Sequence, residues 1–151
     1  MKRIVLTMLL LAVSIVPSTA ISGPIGFTAF GGLYSGNVDE FFLGGGLKLG
    51  FGGLSVTPYA EYVFVESGSY YTFNADATFP IIPLGVASLY GGGGLGLHVV
   101  DPEGGDSSTE TGVNLLVGAG FNAVPMKPFG QIKYVFIEGD DPLVFSAGIR
   151  F

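Results

Sequence analysis

His98 is the single histidine of the chain and the first residue that could do catalytic chemistry. Ser107 and Ser108 stand nearby and could serve as nucleophiles if the imidazole took up a hydroxyl proton. No serine follows two residues after the histidine, where Val100 stands, and the spacing identifies no third residue that would orient the ring. We therefore interpret His98 as a structural residue near a strand end and predict no enzymatic activity.

A run of glycines within residues 91–96 has the composition of a phosphate-binding loop. Such a loop must be followed by a helix whose N-terminal N–H groups face the anion. Here the glycines lie within alternating, strand-like sequence, so that interpretation fails. Glycine within a strand instead permits tight curvature and the close approach of bulky neighbours.

Metal and cofactor sites also find little support in the sequence. The chain has no cysteine, which excludes disulfides, thiolate zinc sites and cysteine nucleophiles. The acidic segment from Asp101 to Asp106 lacks the spacing and the bidentate glutamate of an EF-hand. Weak binding of a divalent cation and a plain solvated loop are the two alternatives for this segment. We predict no cofactor and no resident metal ion.

Five charged residues outside the acidic loops form the main candidate site. They are Lys48, Glu61, Asp76, Lys133 and Arg150. Charges of opposite sign can pair in an interior, whereas an unpaired buried charge carries a large desolvation cost. Whether these five side chains can meet depends on the elements that carry them.

The composition favours a β-structured membrane protein. The chain has 151 residues, of which 26 are glycine; 48% are hydrophobic and only 12% are charged. Ordinary soluble domains contain about 25% charged residues. Twelve acidic residues against six basic ones also argue against nucleic acid as a partner, because nucleic-acid-binding proteins need a basic surface.

Residues 1–20 have the pattern of a cleaved signal peptide. Lys2 and Arg3 form a basic start, an apolar run follows over residues 4–16, and Ser18 and Ala20 supply the small residues of a cleavage site. The run is shorter than the roughly 20 apolar residues of a membrane-spanning helix. We therefore expect an exported protein whose mature part is a single domain over residues 21–151.

The mature part divides into eight segments in which apolar and polar residues alternate. Most segments have about the length of a tilted strand that crosses a bilayer, and an even number of strands is usual in bacterial barrels. Short turns without acids alternate with polar loops that hold or adjoin ten of the twelve acids. The segments are 25–33, 41–50, 54–65, 69–79, 84–100, 108–122, 128–138 and 143–151, and the short turns are 51–53, 80–83 and 124–127.

The apolar face of the segments carries aromatic residues at its ends. Phe51, Phe79, Phe121 and Phe151 each close a strand on this face. An apolar band between two aromatic girdles is typical of the outer surface of a membrane barrel, and the polar face, with all five charges, then points inward. These features predict an all-β fold, an eight-stranded antiparallel up-and-down transmembrane β-barrel. A secreted soluble barrel or sandwich, with the faces reversed, is the alternative.

The mature chain resembles the small bacterial outer-membrane β-barrel proteins of the OmpX/OmpA type. Its last strand is similar to the signal that the barrel-assembly machinery reads, with Phe145, Ile149 and a final Phe151 on the apolar face. Residues 90–97 and 127–134 resemble the family as well. The resemblance implies location in the bacterial outer membrane, contact with its lipid, and the assembly machinery as a partner during biogenesis. We also expect a monomer.

Two classes of function remain, because the fold alone names no activity. Eight strands enclose an interior just wide enough for side chains to fill, so we expect a closed lumen and a structural or interaction role. Inward glycines leave a narrow channel, or a conduit for small or apolar solutes, as the alternative. We expect the five inward charges to form one ion-pair network in the half of the barrel nearer the short turns. The alternative is that water solvates each charge separately.

Overall fold

A computed structural model describes residues 25–36, 39–122 and 124–151, and the predicted signal peptide lies outside this range. Eight strands account for most of the described chain. In chain order they are β1 (Ile25–Ser35), β2 (Glu40–Phe51), β3 (Leu54–Val63), β4 (Ser69–Leu84), β5 (Ala87–Asp101), β6 (Ser108–Phe121), β7 (Lys127–Phe136) and β8 (Leu143–Arg150). Among the described residues, no helix is long and apolar enough to cross a membrane.

Each strand pairs antiparallel with its neighbours in the chain, and β8 pairs antiparallel with β1. The last pairing closes the sheet, so the barrel has no open edge along its length. In the register of β1 with β8, Thr28 lies opposite Arg150 and Ser35 lies opposite Leu143. The predicted fold, an eight-stranded antiparallel barrel in up-and-down order, is confirmed.

Large apolar side chains cover the outside of the barrel, whereas in a water-soluble barrel they would fill the inside. Alternation is strict along β6, where Asn114 is fully buried while its neighbours Val113 and Leu115 are about half exposed. The buried set includes Glu61 and Lys133, and the exposed set consists largely of leucine, valine, isoleucine and phenylalanine. Apolar residues cover the outside, whereas the inside contains both the charged or polar side chains and a group of apolar ones. An apolar outer surface around buried charges is the arrangement of a transmembrane barrel.

The turn between β4 and β5 lies later in the chain than the sequence predicted. Residues 80–83 belong to β4, which continues to Leu84, and the chain reverses at Gly85, whose φ of 73° is positive. Proline is tolerated here because the pairing of β4 with β3 ends at Thr78 opposite Ser55. Beyond that pair β4 is bonded only to β5, with a shift of register between Pro80 and Ile82. The prediction of a turn at 80–83 was wrong for this reason.

Inward glycines make room for large side chains, as the sequence suggested. A Cβ atom on Gly118 would lie 2.5 Å from the ring of Tyr90, and one on Gly46 would lie 2.5 Å from the Cβ atom of Tyr59. Neither neighbour could keep its place beside an alanine, because real Cβ atoms do not approach so closely. The glycines therefore set where the aromatic rings of the interior can lie.

Candidate functional site

The interior of the barrel is the candidate site, and its end nearer the long loops is filled by apolar side chains. Phe42, Val63, Val135 and Val144 are fully buried there. The ring of Tyr34 packs edge-on against Phe42, with 5.1 Å between the ring centroids. We call this group, together with Ile137, the apolar layer. The apolar layer lies inside the barrel, between the loops and the polar side chains described next.

A buried glutamate lies directly beneath the apolar layer and accepts hydrogen bonds from three side chains. Lys133 Nζ is 3.1 Å from Glu61 Oε1 and forms the one ion pair found among the described residues. Thr72 Oγ1 donates to Glu61 Oε2 at 2.7 Å, and the hydroxyl of Tyr34 donates to the same oxygen. Glu61 is 3% exposed and Lys133 is 1% exposed, so the pair is withdrawn from solvent.

The second carboxylate of the interior is joined to this pair through a tyrosine. Lys133 Nζ donates to the Tyr59 hydroxyl at 2.9 Å, and that hydroxyl donates to Asp76 Oδ2 at 2.5 Å. Asn114 Nδ2 donates to the other Asp76 oxygen at 2.8 Å. One ammonium group thus serves two carboxylates, one directly and one through a phenol. We call Glu61, Lys133, Tyr59, Asp76 and Asn114 the polar network.

The structure brings three of the five predicted charges together and leaves two apart. Glu61, Asp76 and Lys133 meet in the polar network, whereas Lys48 and Arg150 lie near the short turns and form no ion pair with any residue that the structure describes. Glu61 and Lys133 lie nearer the loop ends of their strands, at the third-last residue of β3 and the fourth-last of β7, not in the half where we expected them. Strands in a barrel are tilted and staggered, so distance along each strand did not give a common height.

We expected Arg150 to pair with a carboxylate in the ion-pair network, but its guanidinium group contacts aromatic rings instead. Its guanidinium carbon lies 4.2 Å from the ring centroid of Phe129 and 5.0 Å from that of Tyr90. Guanidinium groups are attracted to the faces of aromatic rings, and the stacking holds the charged group in a defined position. Arg150 therefore has an ordered place within the barrel without a partner of opposite charge among the described residues.

His98 is buried and is not paired with a nucleophile. Its Nδ1 lies 2.8 Å from the Tyr70 hydroxyl, and its Nε2 has no hydrogen-bond partner within the described part of the chain. Ser107 is exposed in the loop after β5 and donates to Asp101 at 2.8 Å. Ser108 lies opposite Val100 in the pairing of β5 with β6. The arrangement contains none of the contacts of a catalytic triad.

Sequence reasoning missed several members of the interior site, namely the hydroxyl and amide side chains that connect the charges. Tyr34, Tyr59, Thr72 and Asn114 each have the inward parity that the alternation predicts. Thr72 is also the cross-strand partner of Glu61. Parity already places Thr72 and Asn114 inside, but the choice of hydrogen-bond partner depends on heights that only the closed barrel defines.

Empty space lies beneath the polar network, toward the short turns. A small cavity of about 40 Å³ lies below Tyr59 and Asp76, and Lys48 and Arg150 also line it. A larger cavity of about 490 Å³ opens at the short-turn end and shares Lys48 and Arg150 with the smaller one. Within the described residues, no group of three or more His, Asp or Glu side chains could hold a metal ion.

The residues of the predicted assembly signal lie on the outer face of β8 and just after it. Phe145 is 42% exposed, Phe151 is 58% exposed and Ile149 is partly exposed. The backbone N–H of Phe151 donates to the carbonyl of Phe27 at 2.9 Å, next to the closing seam of β1 and β8. These positions lie on the outer surface of the barrel, and the role of the three residues in assembly stays a prediction.

Comparison with solved structures shows which proteins share this fold. The N-terminal β-barrel domain of OprF from Pseudomonas aeruginosa superposes with a TM-score of 0.69 at 15% identity, covering 84% of this chain and 96% of that one. Neisserial surface protein A has a TM-score of 0.65 at 17% identity, covering 83% and 94%. A designed transmembrane β-barrel has a TM-score of 0.55 at 10% identity, covering 86% and 98%.

The comparisons define a class by fold: the chain is an eight-stranded transmembrane barrel of the kind seen in small bacterial outer-membrane proteins. The resemblance that the sequence suggested is confirmed at this level. No protein-family model and no curated protein sequence matches the chain. Because a designed barrel shares the fold, the fold by itself carries no activity.

Proposed function

We propose that this protein is an integral barrel of the bacterial outer membrane with a structural or interaction role, whose lumen is closed by its own side chains. The observation that carries the proposal is the apolar layer above the polar network. Phe42, Val63 and Val144 are fully buried there, and the ion pair of Glu61 with Lys133 lies directly below. A permeant ion would have to displace both packed hydrocarbon and a hydrogen-bonded ion pair.

The outer-membrane location rests on three independent features. Large apolar side chains cover the outside of a closed barrel, as at Phe27, Leu95 and Leu115, which are all about half or more exposed. Residues 1–20 have the pattern of an export signal. The natural barrels that this chain resembles, the OprF domain and Neisserial surface protein A, are bacterial outer-membrane proteins. Together these features support export followed by insertion into the outer membrane, and we propose a monomer with lipid as its main partner.

An interaction role is supported by the distribution of charge at the loop end. Acidic residues crowd the four connections on that side, for example Glu66, Asp101, Asp106 and Asp140, and those four are exposed or partly exposed. Their common sign would repel acidic lipid and would attract basic partners. We propose a role without catalysis, in which His98 is a buried structural residue bonded to Tyr70.

A narrow conduit is the second candidate function. The observation that favours it is the cavity of about 490 Å³ that opens at the short-turn end of the barrel. A solute that entered there would need the apolar layer to move before it could cross. Conduction is therefore the property that separates the two functions.

Planar-bilayer recording on the refolded, mature protein tests the proposal. We expect no steady single-channel current from the wild type, with a porin of known conductance as the positive control. Fractionation of cells should place the protein in the outer membrane. Steady conductance by the wild type would favour the conduit, and recovery of a soluble monomer without detergent would contradict the membrane assignment.

A further inference from the structure

We propose that the cavity at the short-turn end of the barrel is a binding site for a phosphate group, formed by Lys48, Lys127 and Arg150. The proposal goes beyond the structural role and does not depend on whether the lumen conducts. The three cations line one open cavity of about 490 Å³. The mature part of the sequence contains one further cation, Lys133, and that residue is engaged with Glu61.

Like charges are held next to one another at this site by the strand pairing itself. Lys127 and Arg150 are direct partners in the register of β7 with β8, and both have inward parity. Like charges directly opposite each other across strands are destabilising. Lys48 is the third cation, and it lines both the large cavity and the smaller one behind it together with Arg150. Its charge therefore adds to the repulsion. An anion bound between them would remove this cost.

No acidic side chain neutralises the three cations. Among the described residues the single ion pair is that of Glu61 with Lys133, so no carboxylate, including that at the end of Phe151, lies within pairing distance of the other cations. The residues of the short turns contain no aspartate or glutamate. Asp76 lines the smaller cavity but already accepts hydrogen bonds from Tyr59 and Asn114. The cavity therefore has an unbalanced positive charge.

The remaining donors of the cavity fit the oxygens of a tetrahedral anion. Ser55, Thr78 and Ser88 contribute hydroxyl groups to its lining. The stacking of Arg150 on Phe129 orders the guanidinium before any ligand binds, which lowers the entropy lost on binding. A guanidinium group, two ammonium groups and neutral hydroxyls are the donors that bind phosphate in proteins. A phosphate group can come from a soluble anion or from the headgroup of a phospholipid in the adjoining leaflet.

Two arms of one experiment separate these sources. In the first, inorganic phosphate is titrated into the refolded mature protein in zwitterionic detergent, and binding is followed by calorimetry. In the second, native mass spectrometry measures retention of phosphatidylglycerol against phosphatidylcholine from mixed micelles. The variants are Lys48→Gln, Arg150→Gln and the double substitution. The control is Ser67→Asp, which changes the net charge by the same amount as each single variant but lies at an exposed position at the opposite end of the barrel. The mobility of unboiled protein in SDS gels checks that every variant is folded.

We expect saturable binding in at least one arm. The affinity should fall about tenfold for each single variant and further for the double variant, since each removes one charge-assisted contact. Ser67→Asp should leave it within about twofold. Binding of phosphate identifies a soluble anion as the source, and selective retention of phosphatidylglycerol alone identifies the lipid headgroup. No saturable binding in either arm, or an equal loss in Ser67→Asp, would overturn the proposal.

Discussion

At the scale of single residues, the interior depends on one ammonium group that serves two carboxylates. Lys133 is buried, bonded to Glu61 at 3.1 Å and linked to Asp76 through the hydroxyl of Tyr59. A buried ion pair contributes little over a well-packed apolar pair, but removal of one partner leaves the other charge uncompensated. The consequence is a strong dependence of stability on the integrity of the pair.

We predict that Lys133→Met destabilises the folded barrel by about 3–5 kcal/mol, because buried Glu61 loses the partner that compensates its charge. Urea unfolding in phospholipid vesicles, followed by the mobility of unboiled protein in SDS gels, measures the change. The double variant Lys133→Met with Glu61→Gln should recover part of the loss, and Glu66→Gln, at an exposed loop position, serves as the control. Additive losses in the double variant would contradict a coupled pair.

A second residue-scale prediction concerns the hydroxyl group of Tyr34. The substitution Tyr34→Phe removes a donor to the Glu61 carboxylate and keeps the ring in the apolar layer. Hydrogen bonds to charged groups contribute about 1.5–3 kcal/mol, so a loss of that size is expected in the same unfolding assay. Tyr62→Phe is the matched control, because Tyr62 lies on the outer face and its side chain is 43% exposed. An equal effect of both substitutions would show that the hydroxyl of Tyr34 is not coupled to the network.

At the scale of the strands, the curvature of β5 depends on glycine. A Cβ atom on Gly92 would lie 1.9 Å from the carbonyl oxygen of Ala77 on the neighbouring strand. That oxygen belongs to the backbone of β4 and cannot move without disturbing the pairing of β4 with β5. The glycine is therefore needed for a close approach of two strands, not for a turn.

We predict that Gly92→Ala lowers the free energy of unfolding by about 1–3 kcal/mol, the usual cost of forcing extra volume into a packed site. Gly130→Ala is the matched control, because a Cβ atom there would have its nearest neighbour at an ordinary 3.9 Å. The control should be neutral or slightly stabilising, since alanine loses less backbone entropy on folding. Unfolding curves of the two variants side by side provide the measurement. A Gly92→Ala protein as stable as Gly130→Ala would contradict this account of the strand approach.

At the scale of the whole molecule, the apolar layer and the polar network lie in series along the barrel. The layer lies nearer the loops, and the cavities lie below the network. Loss of the ion pair alone would leave the packed hydrocarbon of Phe42 and Val63 in place. The barrier to ions is therefore expected to reside mainly in the layer.

We predict that Glu61→Gln stays non-conducting in planar bilayers, whereas Phe42→Ala combined with Val144→Ala produces a measurable leak. Both buried side chains are removed in the second variant, and water can then enter beside the network. Phe136→Ala, on the exposed outer face, is the control for the loss of a phenyl ring. A leak in Glu61→Gln of the same size as in the layer variant would assign the barrier to the ion pair.

A further whole-molecule prediction is heat modifiability. The closed hydrogen-bonded barrel should resist SDS at room temperature, so that unboiled and boiled samples migrate differently, because a barrel without edges must break all its strand pairs together. Circular dichroism of the detergent-folded protein should show β structure. Identical migration before and after boiling would argue against a stable barrel.

Alternation of side chains in the sequence determined the fold class, the number of strands and the face that each residue occupies. Period-two alternation is a local property, so it assigned Glu61 to the polar face and Leu115 to the apolar face from their neighbours alone. The direction of the two faces also required the aromatic strand ends, the signal peptide and the asymmetry of the loops. Proline was a weaker guide to the positions of turns. Pro80 and Pro83 predicted a turn, but they lie on a part of β4 that pairs with β5 and has no partner on its other side. Whether a proline is tolerated depends on strand pairing, which is not a local property.

Only the tertiary structure decided which interior groups meet. The stagger of eight tilted strands sets the height of each inward side chain, and that stagger arises when β8 pairs with β1. It brought Lys133 to Glu61, although they are 72 residues apart in the chain, and it left Arg150 beside Lys127. Sequence therefore determined what the interior contains, while closure of the barrel determined which charges are paired and which are free to bind another molecule.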